Sequence, residues 1–293
     1  MHVIGSEKKS LSRNRYRKLG LWLWLSACPL AATAADNPPA QPAAPAGETI
    51  PQNPVLQDDF RFNVGGFYAS TNTVARLDAG GGTGVDVNFE DALGMEDRKL
   101  VGEAAMYWRF TKHWRLDVNY FAITRRSTRT ISQDVQWGDQ TFTAGTEVFS
   151  SFRLSDMRAS VGYSFFRRTD KEVGVGLGLH ATGLRAMVDA SGIGGSAGDV
   201  TAPLPVVSFY ANFALTNTWA LTTRVDWLSL EYSDYKGQVR SVALDVIYQP
   251  FRNVGFGFGY HSLITNLTVD KTDWRGKVAL AYQGPAAYVS FSF

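Results

Sequence analysis

The chain has a single cysteine in 293 residues, Cys28, and little charge: Asp, Glu, Lys and Arg make up 19% of it. One thiol cannot form a disulfide framework or a thiolate cluster, so the fold must be held by burial and backbone pairing. Beyond residue 35 no run of eighteen apolar residues occurs, which excludes α-helical membrane spans in that part. A surplus of one charge sign is missing as well. Of 29 Lys/Arg and 27 Asp/Glu, six (Lys8, Lys9, Arg13, Arg15, Arg17, Lys18) and one (Glu7) lie in residues 1–35, leaving 23 basic and 26 acidic side chains, a net of −3. That balance does not suit a nucleic-acid-binding surface. Apolar surface, by contrast, is plentiful. Hydrophobic residues are 45% of the chain and aromatics 13%, with 28 glycines, a composition that argues against disorder over most of the length.

The first segment reads as an address. Basic residues at 8–18 precede the apolar run Leu19–Ala34, which closes on Ala31, Ala32, Thr33, Ala34 and Ala35. Basic, apolar, then small is the order of a cleaved secretory signal, and it predicts a signal peptide over 1–35 with the cut after Ala34. The apolar run falls short of the ~20 residues of a spanning helix. Leu25-Ser26-Ala27-Cys28 resembles a bacterial lipobox, an alternative in which Cys28 would be lipidated; either way the chain is exported. Residues 36–57 carry Pro38, Pro39, Pro42, Pro45, Pro51 and Pro54 without periodicity, and read as a disordered periplasmic arm.

From residue 58 to 293 the chain keeps returning to a period of two. Ala104, Met106, Trp108 and Phe110 alternate with Glu103, Ala105, Tyr107 and Arg109; Trp114, Leu116, Val118 and Tyr120 with Arg115, Asp117 and Asn119. Met157, Ala159, Val161 and Tyr163 oppose Arg158 and Ser160; Leu221, Val225 and Trp227 oppose Arg224 and Asp226; Val242, Leu244 and Val246 oppose Asp245. Val254, Phe256, Phe258 and Tyr260 alternate with glycines and His261. These segments are longer than the usual five or six residues of a soluble strand. Charges on the second face would be stranded in a dry sandwich core, whereas inside a barrel they pair or stay hydrated while the apolar face meets lipid. Aromatic residues near strand ends (Trp108, Phe110, Trp114, Phe165, Phe166, Trp219, Phe251) fit an interfacial ring.

The pattern predicts an all-β fold, an antiparallel transmembrane β-barrel of about ten strands, with eight or twelve as alternatives. The strands are expected near 60–70, 99–110, 114–137, 140–166, 171–188, 204–216, 219–232, 236–249, 254–267 and 273–293. Four short connections, at 111–113, 167–170, 217–218 and 250–253, fall on one side and mostly longer ones on the other. In an outer-membrane barrel the short side is periplasmic, which places both termini there.

The end of the chain, Tyr288-Val289-Ser290-Phe291-Ser292-Phe293, resembles the carboxy-terminal signature of bacterial outer-membrane β-barrel proteins. The resemblance assigns Val289, Phe291 and Phe293 as an insertion signal read by the barrel-insertion machinery, with periplasmic chaperones as transient partners. It implies integral residence in the outer membrane, in contact with its lipid and lipopolysaccharide. Val278, Leu280 and Tyr282 have the opposite parity to Val289, Phe291 and Phe293, so a bulge is expected at Gly284-Pro285, or else a turn that splits the strand.

Chemistry is sparse. Outer-membrane lipid A deacylases use a His and a Ser separated by one intervening residue on a strand, so that both share a face; His261 and Ser262 are adjacent and therefore point to opposite sides. No motif of the outer-membrane aspartyl proteases is present, and no two histidines have metal-ligand spacing. No catalytic, cofactor or metal residue is assigned. The acidic first loop (Asp78, Asp86, Glu90, Asp91, Glu96, Asp97), its Gly80-Gly81-Gly82-Thr83-Gly84 run and the glycine-rich segment 191–198 read as solvated outer loops. Inward-facing polar residues are expected at Glu103, Arg109, Arg115, Asp117, Arg158, Arg224, Asp226 and Asp245, with Arg125, Arg275 and Lys277 beside them: seven basic against four acidic, a mild preference for anions. The function that follows is a structural scaffold or a narrow passive channel for small polar solutes. The alternatives are a rim-located lipid-modifying enzyme or a surface adhesion module on the long loops.

Overall fold

The computed structural model describes residues 50–78, 84–232, 235–270 and 275–293. The signal segment, the arm as far as residue 49, the run 79–83, and the loop residues 233–234 and 271–274 lie outside the described residues.

Ten long strands form one antiparallel sheet: β1 (Phe60–Leu77), β2 (Arg98–Arg109), β3 (Trp114–Thr130), β4 (Glu147–Arg167), β5 (Lys171–Ala190), β6 (Gly194–Ala214), β7 (Trp219–Tyr232), β8 (Tyr235–Tyr248), β9 (Val254–Asp270) and β10 (Arg275–Ser292). Each pairs with the next, and β10 returns to β1 from Arg61↔Ser292 to Leu77↔Gly276, closing a transmembrane β-barrel. Phe60 and Phe293 exchange backbone hydrogen bonds of 3.0 and 2.9 Å at the seam. Closure leaves no sheet edge, the condition for carrying backbone through hydrocarbon. Thr111 and Thr216 shape two of the short turns, accepting from the amides of Trp114 (3.1 Å) and Trp219 (2.9 Å) respectively.

The period of two decides the outer surface. Trp108, Tyr120, Val161, Leu177, Phe209, Trp227, Leu244 and Phe258 all project outward, between 43 and 72% exposed. The belt occupies the half of the barrel nearer the short turns. Towards the long-loop end the outward positions become polar: Arg126, Arg153, Arg185, Asp199, Arg240 and Lys277 are exposed there.

Inside, the polarity inverts in the same place. Near the loop end the inward positions are apolar, and two loops fold back onto them. Val87, Phe89, Leu93 and Met95 of the first loop, and Ile131, Val135, Trp137 and Phe142 of the second, pack with Phe121, Phe152, Leu184, Leu204, Val278 and Leu280 of the wall. Phe89 meets the rings of Trp137 (5.4 Å) and Phe152 (5.5 Å) edge-on. Burying each such side chain is worth about 1.5–3 kcal/mol, so this half of the barrel is a soluble-protein core enclosed by strands.

That core explains where the expected boundaries shift. β3 ends at Thr130 instead of running to 137, and β4 begins at Glu147 instead of 140. The Gly138-Asp139 turn belongs to a separate small hairpin, Val135–Trp137 with Gln140–Phe142, and Gly138 there has φ +59, a left-handed conformation that costs glycine little. Residues 194–203 are wall and not loop, because β6 pairs with β5 along its whole length, from Lys171↔Phe213 to Ala190↔Gly194, despite Pro203 and Pro205. Nor is there a bulge or turn at Gly284-Pro285: β10 keeps one register with β9 through Tyr260↔Pro285 and His261↔Gly284. Val278, Leu280 and Tyr282 simply face the apolar interior while Val289, Phe291 and Phe293 face lipid. The irregularity lies between β4 and β5, after Tyr163, where Phe165 and Phe166 are both exposed.

At the opposite end residues 50–57, read from sequence as the last part of the arm, form a capped turn of helix, α1 (Pro54–Gln57). The Asn53 side chain accepts from the Val55 amide (3.0 Å) and donates to the Thr216 carbonyl (3.1 Å). Val55 and Leu56 are buried against Ala220 and Ile247, with Ala214 and Tyr288 beside them. Arg61 and Arg167 donate to the carbonyls of Val55 and Leu56, and Arg252 pairs with Asp58 at 2.8 Å, which raises the arginine further above its ordinary value.

Candidate functional site

Between the apolar core at one end and α1 at the other lies a polar chamber, built from the inward positions of all ten strands. One cavity of about 70 Å³ is bounded by Arg61, Asn63, Tyr107, Asp117, Thr222 and Tyr288. A neighbouring one of about 60 Å³ lies against Glu103, Asn119, Asp245 and His261, and the two share Arg224 as a wall. Glycines make the room. A Cβ at Gly162 would sit 2.8 Å from the ring of Tyr210 and 3.3 Å from Arg115, whose guanidinium stacks over that ring at 3.3 Å from its centroid.

Three networks occupy the chamber. Nearest the short turns, Glu172 takes the Arg109 guanidinium at 2.8 Å, Asn212 at 3.0 Å and the Ser164 hydroxyl, while Arg115 holds Asp117 at 2.9 Å. Arg158 grips Asp226 with two hydrogen bonds of 2.7 and 2.8 Å; Ser208 donates to the same carboxylate and Arg224 lies 3.2 Å from it. Beside this pair His180 and Thr182 both meet Asp156, at 2.8 and 2.7 Å. The third network is His261 between two carboxylates, Glu103 at 2.9 Å and Asp245 at 3.0 Å, with Asn119 donating to Glu103. A fourth group lies under the first loop, where the buried Arg125 holds Glu90, Thr71 and Thr73 and donates to Tyr282 (3.1 Å). Glu90 is thus an inward anchor rather than part of a solvated acidic loop.

The eight polar positions singled out from sequence are all found on inward positions, in these networks. Arg275 and Lys277 are not: both lie on the outward parity of β10 and are exposed, Arg275 pairing with Asp270 at 2.9 Å. Sequence reasoning passed over Asp156, Glu172, His180 and Arg61. The signal was present, because Glu172 and His180 share parity with Gly174, Gly176 and Gly178, opposite Val175, Leu177 and Leu179. With these included the chamber holds Arg61, Arg109, Arg115, Arg158 and Arg224 against Glu103, Asp117, Asp156, Glu172, Asp226 and Asp245, and the basic excess disappears. Charges this well matched serve to satisfy one another in a low-dielectric space.

For chemistry the arrangement offers little. His261 points inward and is held by its two carboxylates, while Ser262 lies on the outward parity, so no nucleophile–base pair forms there. His180 and Asp156 are both almost fully buried.

No protein-family model and no curated protein matches the chain. Among solved structures, the outer membrane protease OmpT from Escherichia coli is similar with a TM-score of 0.51 at 11% identity, covering 80% of this chain and 97% of that one. Ail of Yersinia pestis matches at a TM-score of 0.32 and 10% identity (78% and 97% covered), and the Pseudomonas putida toluene transporter TodX at 0.30 and 9% (82% and 91% covered). The likeness to OmpT is one of fold: this chain has the architecture of a bacterial outer-membrane β-barrel.

Proposed function

We propose that this protein is an integral outer-membrane barrel, with its short turns and both termini periplasmic, that serves as a closed structural element of the envelope and not as a conduit. The observation that carries this reading is the apolar core that the two long loops build across the lumen, around Phe89, Trp137 and Phe152, all essentially without solvent exposure. At the other mouth the α1 segment packs Val55 and Leu56 against Ala220 and Ile247. Solute flow would require these side chains to leave sites where water cannot replace their contacts. The outer-membrane location is supported by the barrel fold, the outward apolar belt and the terminal residues Val289, Phe291 and Phe293, whose outward side chains suit recognition by the insertion machinery. The adhesion alternative has little apolar surface to use on the described parts of the first two loops, which bury Phe89, Leu93, Ile131, Trp137 and Phe142 in this core. Planar-bilayer recording of the refolded barrel tests the proposal: no steady ion current is expected, and a reproducible ohmic conductance refutes it.

A further inference from the structure

Just beyond the apolar belt, on the outer face of β3–β5, stands a group of cations that the protein itself leaves poorly matched. Arg153 on β4 and Arg185 on β5 are direct cross-strand partners, both outward and exposed. Arg126, one outward position further along β3, lies diagonally from Arg153, whose direct partner on that strand is Thr124. Like charges in register repel. Among the described residues the available relief is slight: Arg185 lies 3.9 Å from Asp199, with the two side chains 62 and 63% exposed, and Arg153 reaches only the Thr124 hydroxyl at 3.4 Å.

The next outward row towards the short turns is made of small side chains, Ser155 on β4 opposite Gly183 on β5. The row after that is apolar, with Tyr120 opposite Met157 and Met157 opposite Ala181. From the loop end towards the membrane the wall therefore presents guanidinium groups, then a shallow recess with a hydroxyl, then hydrocarbon. That is the order of groups in an anionic lipid seen from its headgroup. Arg240 on β8 provides a contrast: its cross-strand neighbours are Trp227 and Ile264, so it is a lone cation at the edge of the belt.

We propose that Arg126, Arg153 and Arg185 form a binding site for the phosphate monoester of an anionic outer-leaflet lipid, with the phosphate between Arg153 and Arg185, Arg126 closing over it, and acyl chains lying on Tyr120, Met157 and Ala181. Guanidinium groups suit phosphate because their planar donors pair with two oxygens at once. The site rests on the preceding reading, that the barrel sits in the outer membrane with its loop end outside.

The test uses the refolded full-length barrel in phosphatidylethanolamine nanodiscs containing bisphosphorylated lipid A or its dephosphorylated form, with retained lipid counted by native mass spectrometry. The bisphosphorylated lipid is expected to be retained about tenfold over phosphatidylethanolamine, and Arg126→Ser/Arg153→Ser/Arg185→Ser to remove that preference. Arg240→Ser should keep it. All four side chains are exposed, and an unchanged heat-dependent gel mobility reports that the variants are folded. Equal retention of the dephosphorylated lipid, or an undiminished preference in the triple variant, overturns the site. If inorganic phosphate alone displaces the lipid completely, the arginines hold free anion and the lipid assignment fails. Insertion without selectivity removes the site alone; a chain that never enters the nanodiscs removes the membrane reading as well.

Discussion

The pair Arg158–Asp226 is where the energetics of the chamber can be measured most directly. Both side chains are essentially without exposure, 2 and 0%, and they share two hydrogen bonds of 2.7 and 2.8 Å. Replacing Asp226 by Ala strands the Arg158 guanidinium next to Arg224, which lies 3.2 Å from the same carboxylate. Replacing Arg158 by Ala leaves Asp226 with Arg224, Ser208 and His180. Breaking a buried pair from one side costs about 3–5 kcal/mol, mostly the penalty of the uncompensated charge. Asp226→Ala should lie in that range, and Arg158→Ala below it, because Arg224 still neutralises the carboxylate. The double variant should cost no more than Asp226→Ala alone, giving a coupling at least as large as the Arg158→Ala cost and above the ~0.5 kcal/mol of independent sites. Urea unfolding of the barrel in detergent, followed by tryptophan fluorescence and by heat-dependent gel mobility, measures all three. Strict additivity, or an Asp226→Ala cost under about 1 kcal/mol, would show that water reaches the pair and that the network is not a closed structural element.

The loop-end core makes a second expectation: Trp137→Ala, at a site with no exposure, should destabilise the barrel by about 3–5 kcal/mol in the same assay and open residues 131–146 to protease, and an unaffected loop would refute its role as a plug. In single-tryptophan variants, brominated lipids should quench Trp108 and Trp227, which are 47 and 55% exposed on the belt, and leave Trp137 unquenched; the reverse pattern would overturn the assignment of faces. Gly162→Ala should cost about 1–3 kcal/mol by pushing against Tyr210, and Tyr210→Leu in the same chain should recover part of the loss; no recovery would locate the strain elsewhere. Leu56→Asp should speed amide exchange over residues 52–58 while leaving barrel unfolding within about 1 kcal/mol of the parent, since α1 caps the chamber without forming its wall, and a global loss would contradict that.

Alternation pointed to a barrel of about ten strands, with eight or twelve left open, because the solvent outside the belt is hydrocarbon and outward positions there are mostly apolar. Trp108, Phe209, Val242 and Phe258 declare their face without any knowledge of their neighbours. The same rule carries the inward charges, since Arg115 and Asp117, or Arg224 and Asp226, share a parity that lipid cannot accept. What local pattern could not supply was the change of surroundings along a strand. In β10 the hydrophobic parity changes although the register does not, because Val278 and Leu280 meet an interior filled by distant loops while Lys277 beside them meets water. Which ions lie across the lumen from one another, Arg158 with Asp226 or His261 with Glu103, likewise depends on strands 68 and 158 residues apart in the chain. A strand's periodicity records that its two sides differ; only the closed barrel, with its loops folded in, decides what each side touches at each height.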